Sequence, residues 1–141
     1  MITDNRKFWK LLLFTIPTFG IYNIVFWYRL TKDLNEMNPN QKKTKNYILV
    51  IFLSIITFGI YHWVWFFYLC DKIETTGKRY KINVLPGAGT MLGLKTFGTF
   101  FILGPFIANY LAIHNMNNVA HAYNKSLNKQ VKSMNKKKIS A

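Results

Sequence analysis

Thr18-Phe19-Gly20-Ile21-Tyr22 returns as Thr57-Phe58-Gly59-Ile60-Tyr61, 39 residues later, and a shortened copy, Thr96-Phe97-Gly98, follows after another 39. Each copy lies in an apolar run. The first two are followed by aromatics and then by charge. The chain therefore reads as one helical unit used repeatedly. The first two runs, Phe8–Leu30 and Tyr47–Cys70, are long enough to cross a bilayer, and the second has no Asp, Glu, Lys or Arg. A soluble domain would alternate apolar and polar faces, whereas here the apolar residues come in blocks separated by lysine-rich stretches. The expected fold class is all-α: an integral membrane protein with three kinked hydrophobic helical segments at about 8–30, 47–70 and 96–113. A Gly-rich interfacial or re-entrant piece, Ile82–Leu94, is expected before the last of these. Residues 1–124 form one membrane domain, and the basic tail 125–141 is expected to be disordered.

Position-specific expectations follow from residue type. Pro17 removes a backbone hydrogen bond and is expected to kink the first segment. Gly20, Gly59, Gly98, Gly104 and Pro105 are expected at helix-packing or hinge positions. Trp9 and Trp27 stand 18 residues apart, about 27 Å along a helix at ~1.5 Å per residue, close to a hydrocarbon core of ~30 Å. With Tyr47, Trp65 and Tyr68 they are expected to anchor the segments at the interfaces. A second arrangement stays open. A break at each Phe-Gly turns each segment into a shallow re-entrant hairpin with every loop on one side. The tryptophan spacing favours spans.

The formal charge is +14, from 19 Lys+Arg against 5 Asp+Glu. The basic residues flank the apolar blocks, which favours an anionic lipid surface over nucleic acid as the partner. Arg29, Lys32, Lys42, Lys43, Lys45, Lys136, Lys137 and Lys138 are the expected lipid contacts. If all three segments span, the two sides hold six and eleven Lys+Arg, which places the C-terminus in the cytoplasm and makes the chain multi-pass. The first run is too long for a secretory h-region and lacks a cleavage site, so it is expected to remain in the mature protein.

Asn23 and His62 occupy equivalent places in the two full repeats. With Asn109 they are the intramembrane polar candidates, either adhering helices to one another or lining a path. His114, Asn117, Asn118 and His121 form one polar stripe, read as the wet face of an amphipathic helix. The acids Asp33 and Asp71 are expected to pair with Lys32, Lys72 or other nearby cations. Cys70 stands alone and is read as a buried or interfacial thiol. No nucleophile-base constellation, phosphate-binding glycine loop or metal motif is present, so no catalytic residue, metal or cofactor is assigned and the chain is not expected to be an enzyme.

The run Leu11–Asn35, with Thr-Phe-Gly-Ile-Tyr, aromatics and Leu30-Thr31-Lys32-Asp33-Leu34-Asn35 at its end, resembles a bacterial family of small multi-pass membrane proteins known only as a domain of unknown function. Ile48–Glu74 resembles it again, with Cys70-Asp71-Lys72-Ile73-Glu74 in place of the expected ending. Leu103-Gly104-Pro105-Phe106-Ile107-Ala108 resembles the start of its last helix, and the likeness covers about residues 8 to 124. It implies a bacterial cell-membrane protein and no activity. The functional expectation is a non-enzymatic membrane accessory or interaction protein, acting as a homo-oligomer or with a larger membrane-protein partner. The alternatives are a small transporter, channel or lipid-translocating oligomer, and an immunity protein against membrane-active peptides.

Overall fold

The structure is a computed structural model that describes residues 1–98 and 103–139. Among them all regular structure is helical: α1 (Phe8–Thr15), α2 (Ile21–Glu36), α3 (Tyr47–Ile56), α4 (Ile60–Arg79), α5 (Ala88–Phe97) and α6 (Gly104–Ile139). The all-helical expectation holds, but the three kinked segments do not exist as such. The first two are each cut in two, and among the described residues no helix is long and apolar enough to cross a membrane.

In the first two the cut is made by the repeated motif itself, whereas Phe97 and Gly98 of the shortened copy stay right-handed at the end of α5. Phe19 and Phe58 adopt φ of 49° and 50°, and Gly20 and Gly59 φ of 86° and 88°. Two consecutive left-handed residues reverse the chain, and a phenylalanine there costs about 1–2 kcal/mol. The preceding threonine holds both arms. Thr57 Oγ1 donates to the Leu53 carbonyl at 2.8 Å and accepts from the Tyr61 amide at 3.0 Å. Thr18 bonds Phe14 and Tyr22 in the same way. The Gly20 amide donates to the Thr15 carbonyl at 2.9 Å and the Gly59 amide to Ser54 at 2.7 Å, the long-range bond of a Schellman-type helix end. Pro17 is not the cause of the break, because Ile56 takes its place in the second repeat, which turns identically.

The result is three helical hairpins: α1–α2, α3–α4 and α5–α6. Their second arms run side by side in the same direction. Trp27 stacks edge-on against Trp65 at 6.0 Å, Lys72 Nζ donates to Asn35 at 2.8 Å, and Asn38 donates to Thr76 at 2.8 Å. Further round, Tyr80 packs on Tyr123 at 5.6 Å. The first arms run the opposite way. Glu74 of α4 accepts the Ala88 amide at the start of α5 (3.0 Å), while Lys95 reaches His62 near the start of α4. The tips of the first two hairpins and the Gly98–Gly104 end of the third therefore lie at one end, and the connectors gather at the opposite end, the base.

The packed core lies in the base halves of the second arms. Leu30, Leu34 and Met37 of α2 and its end meet Phe66, Leu69 and Ile73 of α4 and Met116, Val119 and Ala120 of α6, all at most 1% exposed. Two asparagines of α6 close the ring by gripping the N-terminal segment. Asn124 pairs with the backbone of Ile2, and Asn117 with that of Arg6.

Four further expectations are corrected. Residues 82–94 are not a separate interfacial piece: a turn at 80–87 leads into α5, which packs along α4 and α6. The third segment does not begin at Thr96, which is the penultimate residue of α5. The tail 125–139 is helical and continues α6, because Lys, Leu, Gln and Met carry good helix propensity and no Gly or Pro interrupts them. Trp27, Tyr47 and Trp65 are core residues where α2, α3 and α4 meet, not interface anchors. Trp9 and Tyr68 are exposed.

Gly98 and Gly104 make the third hairpin a backbone-to-backbone contact. A Cβ on Gly104 would lie 2.2 Å from the Gly98 Cα, and one on Gly98 2.4 Å from the Gly104 Cα. Gly59 has open space and only its φ to lose. Gly59→Ala is expected to cost about 1–2 kcal/mol and Gly104→Ala at least about 2–3 kcal/mol, because α5 and α6 must move apart. Chemical unfolding followed by circular dichroism ranks the two.

Candidate functional site

The tip end is built from the most apolar stretches of the chain, and it is exposed. Phe19 is 98% exposed and Phe58 97%. Ile16, Ile21, Ile55 and Ile60 surround them, and Phe97 and Leu103 flank the third tip; all are exposed. In α3, where Ser54 is the single residue that is not apolar or aromatic, only Tyr47 and Val50 are buried. A folded monomer in water rarely leaves so much contiguous apolar surface uncovered. Of the expected hinge and packing residues, Gly20 and Gly59 form the turns, Pro17 lies exposed at the first tip, and Pro105 opens α6 beside the Gly98–Gly104 contact.

Below the tips lies a polar cluster that the sequence reading only half anticipated. His62 and Asn23 do not pair with each other. The His62 ring takes Lys95 instead, Nε2 to Nζ 2.9 Å. Asn23 keeps its Oδ1 buried without a protein partner among the described residues, as does the Ser54 hydroxyl. Asn109 is half-buried on the first turns of α6. Lys95 is 5% exposed and sits 3.7 Å from the centroid of Phe66 and 5.6 Å from that of Trp63, a cation held on two ring faces. Its signal in the sequence was available: it is the single Asp, Glu, Lys or Arg between Lys81 and Lys125.

For the Lys95 ammonium to donate, His62 Nε2 must be bare. Burial, and then the neighbouring Lys95 charge, push His62 down to about 4, so the neutral ring is the form present. Burial pushes Lys95 down to about 8 and the Cys70 thiol up to about 12. The thiol is therefore a packed apolar group, not a nucleophile. The cluster joins α5 to α4 and suits adhesion between hairpins. Among the described residues no three of His, Cys, Asp and Glu stand together to hold a metal.

The basic residues ring the base end. Arg29, Lys32, Lys42, Lys43, Lys45, Lys136, Lys137 and Lys138 are all exposed. Asp33 pairs with Arg6, not with Lys32. Lys72 bonds Asn35 and the Lys42 carbonyl, not Asp71. His121 approaches Asp4 at 3.1 Å. On α6 three of the four residues of the expected wet stripe, His114, Asn118 and His121, face outward, but Asn117 is turned to the N-terminal segment.

The sequence family described as "Domain of unknown function (DUF4234)" matches residues 6–75 and again 45–119. Together the matches cover most of the chain. The chain belongs to this family. The two DUF4234 matches begin 39 residues apart (45 − 6), which is the spacing of the Thr-Phe-Gly-Ile-Tyr copies. Each match spans two successive hairpins, and the two overlap on the second, α3–α4. No curated protein and no solved structure matches the chain significantly.

His62 gives a pH prediction. Its folded value, about 4, lies below its ordinary 6.5, so the unfolded chain takes up the proton first. Stability is then expected to fall as pH falls from 6.5 to 4, by up to about 1.4 kcal/mol per pH unit. Lys95, depressed in the same sense, makes stability rise with pH between 8 and 10.5. His62→Gln removes the acid slope and leaves the alkaline one, measured by thermal unfolding across pH.

Proposed function

We propose that the three tips enter one leaflet of an anionic bilayer from the same side, and that the protein is a non-enzymatic, monotopic membrane accessory protein. This revises the multi-pass expectation and keeps its lipid partner. The observation that carries the reading is the near-complete exposure of Phe19 and Phe58 at equivalent tips facing one direction. Each large apolar side chain moved from water into hydrocarbon gains about 1.5–3 kcal/mol, so six of them (Ile16, Phe19, Ile21, Ile55, Phe58 and Ile60) supply on the order of 10 kcal/mol.

Two further features support insertion. Reach is the first. The ten residues of α3 extend about 15 Å at ~1.5 Å per residue, half of a ~30 Å hydrocarbon core. Backbone satisfaction is the second. Hydrocarbon tolerates a turn only where its amides find partners within the protein. At the first two tips the amides of the left-handed phenylalanine, the glycine and the following isoleucine all donate to the preceding turn, and the threonine hydroxyl takes the next one. The basic base then faces the headgroups, where each lysine contributes about 1 kcal/mol near an anionic surface.

Single cysteines at positions 4, 40, 78 and 135, in a Cys70→Ser background, are expected to label from one face of the membrane only. Labels divided between the faces, 4 and 78 against 40 and 135, would restore the spanning arrangement. Phe19→Asp with Phe58→Asp is expected to lower partition into anionic vesicles by at least about a hundredfold while helical content is kept, read by vesicle sedimentation and circular dichroism.

A further inference from the structure

We propose that the groove between residues 41–45 and α4 binds the phosphate of an anionic phospholipid headgroup. The inference rests on the membrane reading above and adds a defined site to it. The groove has a volume of about 560 Å³, and Lys42, Lys43, Lys45 and Lys72 line it against a single acid, Asp71.

Lys72 carries the argument. It is 7% exposed, and no acid pairs with it among the described residues. Two of its three N–H groups are used by neutral acceptors, Asn35 Oδ1 at 2.8 Å and the Lys42 carbonyl at 3.0 Å. A buried ammonium without a counter-charge is costly unless an anion reaches it.

The repeat shows what is missing. A second groove, about 380 Å³, lies at the equivalent place in the first hairpin, lined by Arg6, Tyr22, Val25, Arg29 and Asp33 among others. Adding 39 to these numbers gives Lys45, Tyr61, Val64, Tyr68 and Lys72, all of which line the second groove. In the first groove the chain supplies its own anion, because Asp33 pairs with Arg6. In the second, lysines stand at both equivalent positions. The fold makes the same pocket twice; in one the chain's own Asp33 pairs with Arg6, and in the other Lys72 stands at the acid's position and is left for an external anion.

The surroundings select a lipid over a soluble phosphate. Tyr68, Val64 and Tyr61 lie four, eight and eleven residues before Lys72 on α4 and so form one stripe leading to the tip. Tyr68 and Val64 are exposed. A phosphate at Lys72 would place an acyl chain along this stripe, parallel to the inserted arm. Arg or Lys at such a site supplies charge-assisted hydrogen bonds, the stronger class.

The test is native mass spectrometry of the full chain in zwitterionic detergent, titrated with phosphatidylglycerol, phosphatidylcholine or inorganic phosphate. Phosphatidylglycerol is expected to be retained over phosphatidylcholine, and Lys72→Gln to weaken it about tenfold. Lys72→Arg keeps the binding. Lys42→Gln with Lys43→Gln, on the exposed rim, weakens it without touching the core. Replacing Lys136, Lys137 and Lys138 by Gln, outside the groove, changes it less than about twofold. Equal losses in Lys72→Gln and the tail variant would overturn the site and leave diffuse attraction. Inorganic phosphate that binds as tightly as the lipid, and is lost in Lys72→Gln, would overturn the lipid assignment in favour of a soluble anion. Failure of the wild-type chain to sediment with any vesicle would instead overturn the membrane reading.

Discussion

Two adjacent left-handed residues decide the shape of this molecule. A phenylalanine in that conformation is unfavourable on its own, and the fold over-determines it through the bonds of the threonine before it and the glycine after it. Once the chain reverses at Thr18-Phe19-Gly20 and again at Thr57-Phe58-Gly59, a long oily run can no longer be one rod. It becomes two short arms with the aromatic ring at the outermost point. The parallel packing of α2, α4 and α6 and the gathering of lysines at one end are set by that reversal.

The distribution of burial is the reverse of a water-soluble bundle. The stretches richest in polar side chains within the paired helices, 27–37, 65–77 and 112–124, hold the packed core, while the most apolar ones are left bare. Parallel second arms explain this. They meet through one face only, which selects Leu30, Leu34, Leu69 and Ile73 at helical spacing and lets the opposite face carry Arg29, Lys32 and Asp71. The first arms add a wall and little core. Small residues do the rest, with Gly98 against Gly104 and Gly77 near Val84 and Val119.

The repeat, the helicity and the basic collar were legible from residue type and spacing alone. The direction of the chain after each motif was not, for a physical reason. Hydropathy is the same for a rod and for a hairpin, and Trp9 and Trp27 are 18 residues apart in either. In the hairpin that spacing measures nothing, since one tryptophan is outside and the other is 4% exposed. Sequence position also favoured Asn23 with His62, whereas tertiary packing gave His62 to Lys95. The groove at Lys72 required the alignment of the two repeats in space, because only there does Asp33 become visible as the residue Lys72 replaces.

The backbone of the N-terminal segment has its partners on the last helix, with Ile2 held by Asn124 and Arg6 by Asn117. These are among the most distant pairings a chain of this length allows, and distant contacts form late. During synthesis the outer side of the first hairpin therefore stays uncovered until nearly all of the polypeptide has left the ribosome. Hairpins one and two can close as they emerge, but the ring is sealed only at the end. A nascent chain arrested before residue 117 would hold its first residues only through the Arg6–Asp33 pair, leaving Met1–Asn5 open to proteases, and completion of α6 would remove that vulnerability in one step.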